Sequence, residues 1–100
     1  MPAPLSTRLD RDDAVPYFLW DEPMTVAELR VRLATASREE GTRLLGKILR
    51  EARDPDVWMF TTPDAVLDRW SDLSRHLGRR RAFWEYLLNR WRADGLIRER

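Results

Sequence analysis

The sequence predicts a mostly α protein: a compact single-domain bundle of four to five short helices over residues 17–97, preceded by a mobile, acidic, proline-containing arm at residues 1–16. Three observations predict it. One hundred residues make one domain by size, so a single core must serve the chain. Two capping boxes, Thr25-Val-Ala-Glu28 and Ser37-Arg-Glu-Glu40, each precede apolar residues at helical spacing. Near the C-terminus, Phe83, Trp84, Leu87, Leu88 and Trp91 fall at i, i+1, i+4, i+5 and i+8, the strongest helical pattern in the chain.

The arm carries Pro2, Pro4 and Pro16 and the acids Asp10, Asp12 and Asp13, with few large apolar groups, so order is expected to begin at Pro16. Tyr17-Phe-Leu-Trp20, bracketed by Pro16 and Pro23, reads as an extended piece lying on the helices. Thr25 and Glu28 can satisfy each other's amides, and Met24 and Leu29 stand at the staple positions of a helix over 26–35. Ser37 opens a second helix with Leu44, Leu45, Ile48, Leu49 and Ala52 on one face, which Asp54-Pro55 is expected to end. Gly41 and Gly46 inside it cost about 1 kcal/mol each relative to Ala and mark candidate close approaches of another element.

Val57-Trp-Met-Phe60 lacks capping and reads as a short strand or extended connector around Trp58. Thr62-Pro-Asp64 supplies an N-cap, a first-turn proline and an acid for a helix burying Val66, Leu67 and Trp70. Residues 71–77 continue as a further short helix with Gly78 as left-handed terminator. The last helix covers about residues 80–93, with Gly95 just past its end and Leu96 placed to close on Trp91. Of the five tryptophans, three or four are expected in the core, and Trp20 is the expected exception and a candidate interface anchor.

The formal charge of +1 hides four blocks: −4 over residues 1–28, +3 over 29–55, −3 over 56–74 and +5 over 75–100. Lys47 is the only lysine among 18 cations, a bias that either codon usage or planar, bidentate ion pairing would give. Arg79, Arg80 and Arg81 stand at the start of the last helix, where the macrodipole already presents positive charge. They call for acceptors: acids of the 56–74 block such as Asp68 or Asp72, or carboxylates or phosphates on a partner.

The composition also narrows the chemistry. Without cysteine there is no disulfide framework, thiol nucleophile or Cys-ligated zinc, and the one histidine, His76, has no nucleophile to activate. The four glycines are isolated, so no phosphate loop or other cofactor motif is present. Asp10 to Asp13 do not make a calcium loop, because Val15 and Asp21 stand where its glycine and bidentate glutamate belong. No enzyme, cofactor or metal is expected. Pro2 and Pro4 stand where a secretory signal would carry a basic region, and no run approaches the roughly 20 apolar residues of a membrane span, so the expectation is a cytoplasmic protein.

Three stretches, Pro16-Tyr-Phe-Leu-Trp-Asp-Glu-Pro-Met-Thr-Val-Ala-Glu-Leu29, Leu49-Arg-Glu-Ala-Arg-Asp-Pro-Asp-Val-Trp58 and Leu77-Gly-Arg-Arg-Arg-Ala-Phe-Trp-Glu-Tyr-Leu87, carry a resemblance over residues 16–97. They resemble a family of small prokaryotic proteins associated with genes for AbiEii-type nucleotidyltransferase toxins. The resemblance implies an antitoxin or accessory partner of the toxin and carries over no catalytic residue.

The leading expectation is therefore a protein-binding module. Tyr17 and Trp20 would anchor it to a basic nucleotide-binding cleft, and Asp10, Asp12 and Asp13 would imitate phosphate charge. The rival is a helix-turn-helix-like nucleic-acid binder using Arg79, Arg80 and Arg81 on phosphates; against it, the apolar residues of the last helix leave little polar surface for bases. A homodimer through exposed aromatics is a third expectation.

Overall fold

The computed structural model describes residues 4–95. Among them, six α-helices are built around the 14-residue α2 (Arg38–Glu51), which buries Leu44, Leu45, Ile48 and Leu49 along its length. Helix α1 (Val26–Thr35), helix α5 (Trp70–Leu73) and the 3-10 turn Ser74–His76 all pack on it. Helices α3 (Asp54–Val57) and α4 (Pro63–Asp68) link these layers, and α6 (Arg81–Ala93) closes the chain. The protein is a small, mostly α, single-domain fold, as its sequence predicts. No helix among the described residues is long and apolar enough to cross a membrane.

The local start and stop signals act where the sequence puts them. Thr25 and Glu28 form the complete reciprocal box. At α2 only half of the box forms: Ser37 Oγ accepts from the Glu40 amide at 3.2 Å, while the Glu40 carboxylate turns to Arg43. A guanidinium is the stronger partner for a carboxylate than a single backbone amide. Thr62 Oγ1 accepts from the Ala65 amide at 3.2 Å to open α4. Gly78 (φ +52°) and Gly95 (φ +75°) take the left-handed conformation that ends each helical run without a Cβ clash. The Leu96 contact lies outside the described residues.

Residues 4–16 differ from the expected arm. Strands β1 (Leu5–Ser6) and β2 (Val15–Pro16) pair in parallel, Leu5 opposite Val15 and Ser6 opposite Pro16. Leu9, 2% exposed, enters the core from the loop between them. The α1 N-terminus explains the docking, since its first amides lack partners inside the helix. Val26 N–H donates to the Ala14 carbonyl at 2.8 Å and Ala27 N–H to the Asp12 carbonyl at 3.1 Å. Backbone acceptors of this kind leave no trace in composition.

Two further expectations are corrected. Tyr17–Leu19 is a 3-10 turn, not an extended piece, because the neighbours Phe18 and Leu19 both face the core, whereas a strand would send them to opposite sides. Val57–Phe60 is neither strand nor extended connector. Asp54-Pro55 opens α3, with the proline in the first turn, where a missing N–H costs nothing. The chain then continues in turns closed by Met59 N–H to Asp56 and Phe60 N–H to Val57.

Of the tryptophans, Trp84 alone is fully buried, its indole N–H donating to the Leu49 carbonyl at 2.9 Å. Trp58 packs between Trp84 and Trp91 with centroids 5.6 Å from each, tying α3 to α6. Trp58, Trp70 and Trp91 are half-buried against the core, and Trp20 is the exposed exception. Gly46 is a true close approach, since a Cβ there would lie 2.6 Å from His76 Cβ.

Candidate interaction surface

Trp20 is 62% exposed, yet the backbone on both sides of it is fixed. Before it, Phe18 and Leu19 are buried and the Leu19 carbonyl accepts from the Glu22 amide at 3.2 Å. After it, Asp21 and Glu22 are clamped to α2. The Arg43 guanidinium grips the Glu22 carboxylate as a fork, Nη1 to Oε1 at 3.0 Å and Nη2 to Oε2 at 2.7 Å. Lys47 is 5% exposed, and its ammonium contacts Glu22 at 3.3 Å and also Asp21. Arg43, then Lys47, holds the Glu22 carboxyl down to about 2 against the opposing effect of partial burial, and Lys47 lowers Asp21.

Sequence reasoning missed this cluster. Its trace was legible only in hindsight: the chain's single lysine falls on the apolar face of α2, between Leu44 and Ile48. A cation there must find a carboxylate, because an unpaired buried charge is prohibitively costly.

The predicted anchors separate. Tyr17 faces inward: its hydroxyl donates to Asp56 at 2.6 Å and accepts from the Arg53 amide at 2.7 Å, with the Arg53 guanidinium over its ring at 5.3 Å. Burial, then the Asp56 carboxylate, pushes the Tyr17 phenol up from its ordinary value. Tyr17 therefore holds the turn that presents Trp20 and is not itself presented.

Asp10, Asp12 and Asp13 are exposed, but Asp10 pairs with Arg8 at 3.2 Å and Asp13 with Arg11 at 3.6 Å. Asp12 makes no ion pair among the described residues, so the negative field here is weaker than three acids suggest.

The basic triplet also divides. Arg80 is tied to Asp54 at the start of α3, not to Asp68 or Asp72, and lies over the Phe83 ring at 4.5 Å. Arg81 stands 3.9 Å from Glu85 with both side chains exposed, and Arg79 is exposed without an ion pair among the described residues. Asp54 wins because the chain folds α3 beneath the start of α6, a proximity that no linear charge count contains.

An open groove of about 420 Å³ lies between the start of α2 and the Ser74–His76 turn. Arg38 and Arg75 face Glu39 and Asp72 there, so its charges balance. His76 lines the groove, but its Cβ lies against Gly46 and its carbonyl accepts from Arg50 Nη1 at 2.8 Å.

Comparison with protein-family models, curated proteins and solved structures finds no match to this chain.

Proposed function

We propose that the protein is a cytoplasmic, non-enzymatic protein-binding module that docks through Trp20, and that its partner is a nucleotidyltransferase toxin of the kind implied by the resemblance of residues 16–97. The observation that carries this reading is the exposed Trp20 on a rigid mount. An exposed indole on an ordered backbone needs no main-chain ordering when a partner pocket closes over it, and such residues dominate binding energies. The mount consumes much local structure: two core residues, a hydrogen-bonded Tyr17 and a four-residue ion cluster fix a side chain that buries little itself. Asp12 and the partly paired Asp10 and Asp13 add negative charge suited to a basic cleft.

The test is titration calorimetry of the full chain with an AbiEii-type nucleotidyltransferase. Trp20→Ala should weaken binding about 30-fold or more, equivalent to about 2 kcal/mol, while the melting temperature stays unchanged. Undiminished binding by a folded Trp20→Ala chain removes this docking mode. Truncation is the wrong experiment, since Leu9, Phe18 and Leu19 belong to the core.

A further inference from the structure

Helix α6 has two unlike faces. Phe83, Trp84, Leu87, Leu88 and Trp91, the residues that argued against nucleic-acid recognition, all turn inward, buried or half-buried. Turned outward are Arg81, Ala82, Glu85, Tyr86, Asn89, Arg90 and Ala93, all exposed, with Tyr86 62% exposed. At 3.6 residues per turn, Ala82, Asn89 and Ala93 share the centre of that face, with Glu85 and Arg81 on one flank and Tyr86 and Arg90 on the other. Short side chains along the middle let the helix axis approach a surface closely, and the flanking cations reach past it on both sides.

The elements before α6 set it on the body of the protein. Helix α5 and the Ser74–His76 turn pack on α2, the chain turns at Gly78 with φ +52°, and α6 follows. The two 3-10 turns Ser74–His76 and Gly78–Arg80 join the four-residue α5 to α6. Charge fits an anionic ligand. Residues 75–95 carry six arginines against Glu85 and Asp94; Arg80 and Arg92 are half-buried, and Arg75, Arg79, Arg81 and Arg90 are exposed. Arg81 and Arg90 pair with Glu85 and Asp94 through exposed side chains, and such pairs are weak enough to yield to a phosphate.

We infer that the outer face of α6 binds double-stranded DNA, lying in the major groove with Arg79, Arg81 and Arg90 on phosphates and Asn89 toward the base edges. The major groove of B-form DNA admits an α-helix, and an asparagine amide matches the N6 and N7 pattern of adenine. The deep, narrow major groove of duplex RNA excludes the helix. The surface is distinct from the Trp20 face, so either can stand without the other.

The test is fluorescence anisotropy of a labelled random-sequence DNA duplex titrated with the full chain across about 50 to 200 mM salt. Three phosphate contacts predict a log–log slope of about −2.7, and Arg79→Ala should reduce its magnitude by about 0.9. The triple substitution Arg79→Ala, Arg81→Ala, Arg90→Ala removes only exposed side chains, so it should fold normally and lose binding. Trp20→Ala should bind DNA as the parent does. Absence of binding at the lowest salt, a folded triple variant that still binds, or equal affinity for duplex RNA would each overturn the inference.

Discussion

Lys47 Nζ lies 3.3 Å from Glu22 Oε1, joining the middle of α2 to the segment that leads into α1 from 25 residues earlier in the chain. Each group needs the other, because Lys47 has almost no access to water and Glu22 stands among three cations, Arg32, Arg43 and Lys47. The contact holds the chain just after Trp20, and so links a charge pair inside the fold to the face proposed for binding.

Acid should test this link directly. Glu22 has a folded-state value of about 2, below its ordinary 4.5, so its contribution is complete above about pH 4.5 and disappears as pH falls toward 2. Chemical denaturation across that window should show a loss on the order of 2 to 3 kcal/mol that Glu22→Gln lacks. At pH 7 the same substitution should lower stability by a similar amount, since it leaves Lys47 with Asp21 alone. An identical acid limb in parent and variant would show that Glu22 does not hold the segment.

Gly46→Ala and Gly41→Ala should separate in calorimetric melting. A Cβ at Gly46 meets His76 Cβ at 2.6 Å, next to the main chain, where relief requires moving the turn against α2. Overpacking of about 1 to 3 kcal/mol should outweigh the roughly 1 kcal/mol gained in helix propensity. A Cβ at Gly41 meets only the tip of the Arg69 guanidinium at 2.9 Å, which can swing aside at the expense of its bonds to Arg38 and Thr42. The Gly46 variant should therefore be the less stable of the two.

Tyr17→Phe removes a hydroxyl that bridges Asp56 and the Arg53 amide. The expected cost is about 1 to 3 kcal/mol, read by denaturant unfolding, because Asp56 keeps its half-buried carboxylate without that donor. The alkaline limb carries a second sign. The folded-state phenol titrates above its ordinary value of 10, so stability present below pH 10 should fall as pH rises beyond it, and Tyr17→Phe should lack that decline.

Trp84→Ala and Trp20→Ala should lie at opposite ends of a stability series. Trp84 is fully buried and hydrogen-bonded to Leu49, so its removal should cost about 3 to 5 kcal/mol. Trp20 stands in solvent, and its removal should change folding by less than about 0.5 kcal/mol. Fluorescence of the Trp84→Ala chain should keep the red-shifted contribution of Trp20. A large loss of stability on removing Trp20 would mean that it packs against the fold.

By itself the sequence determined whatever depends on residues a few positions apart. The cap at Thr25, the half-box at Ser37, the proline-led start of α4, the left-handed Gly78 and Gly95 and the stripe of α6 are all decided within one or two helical turns. Trp20 could be singled out as well, though through its nearness to an expected mobile arm whose place the paired strands β1 and β2 take. Tertiary structure alone decided the pairings. Tyr17 meets Asp56 across 39 residues, Trp84 meets Leu49 across 35 and Arg80 meets Asp54 across 26. Attraction between opposite charges does not discriminate among the 17 acids available to 18 bases, so only the packing of α3 beneath α6 and of residues 17–22 against α2 selects the partners. The same packing turned the aromatic face of α6 inward and left Arg81, Arg90 and Asn89 in solvent, because apolar burial fixes a helix's rotation and the polar remainder faces outward.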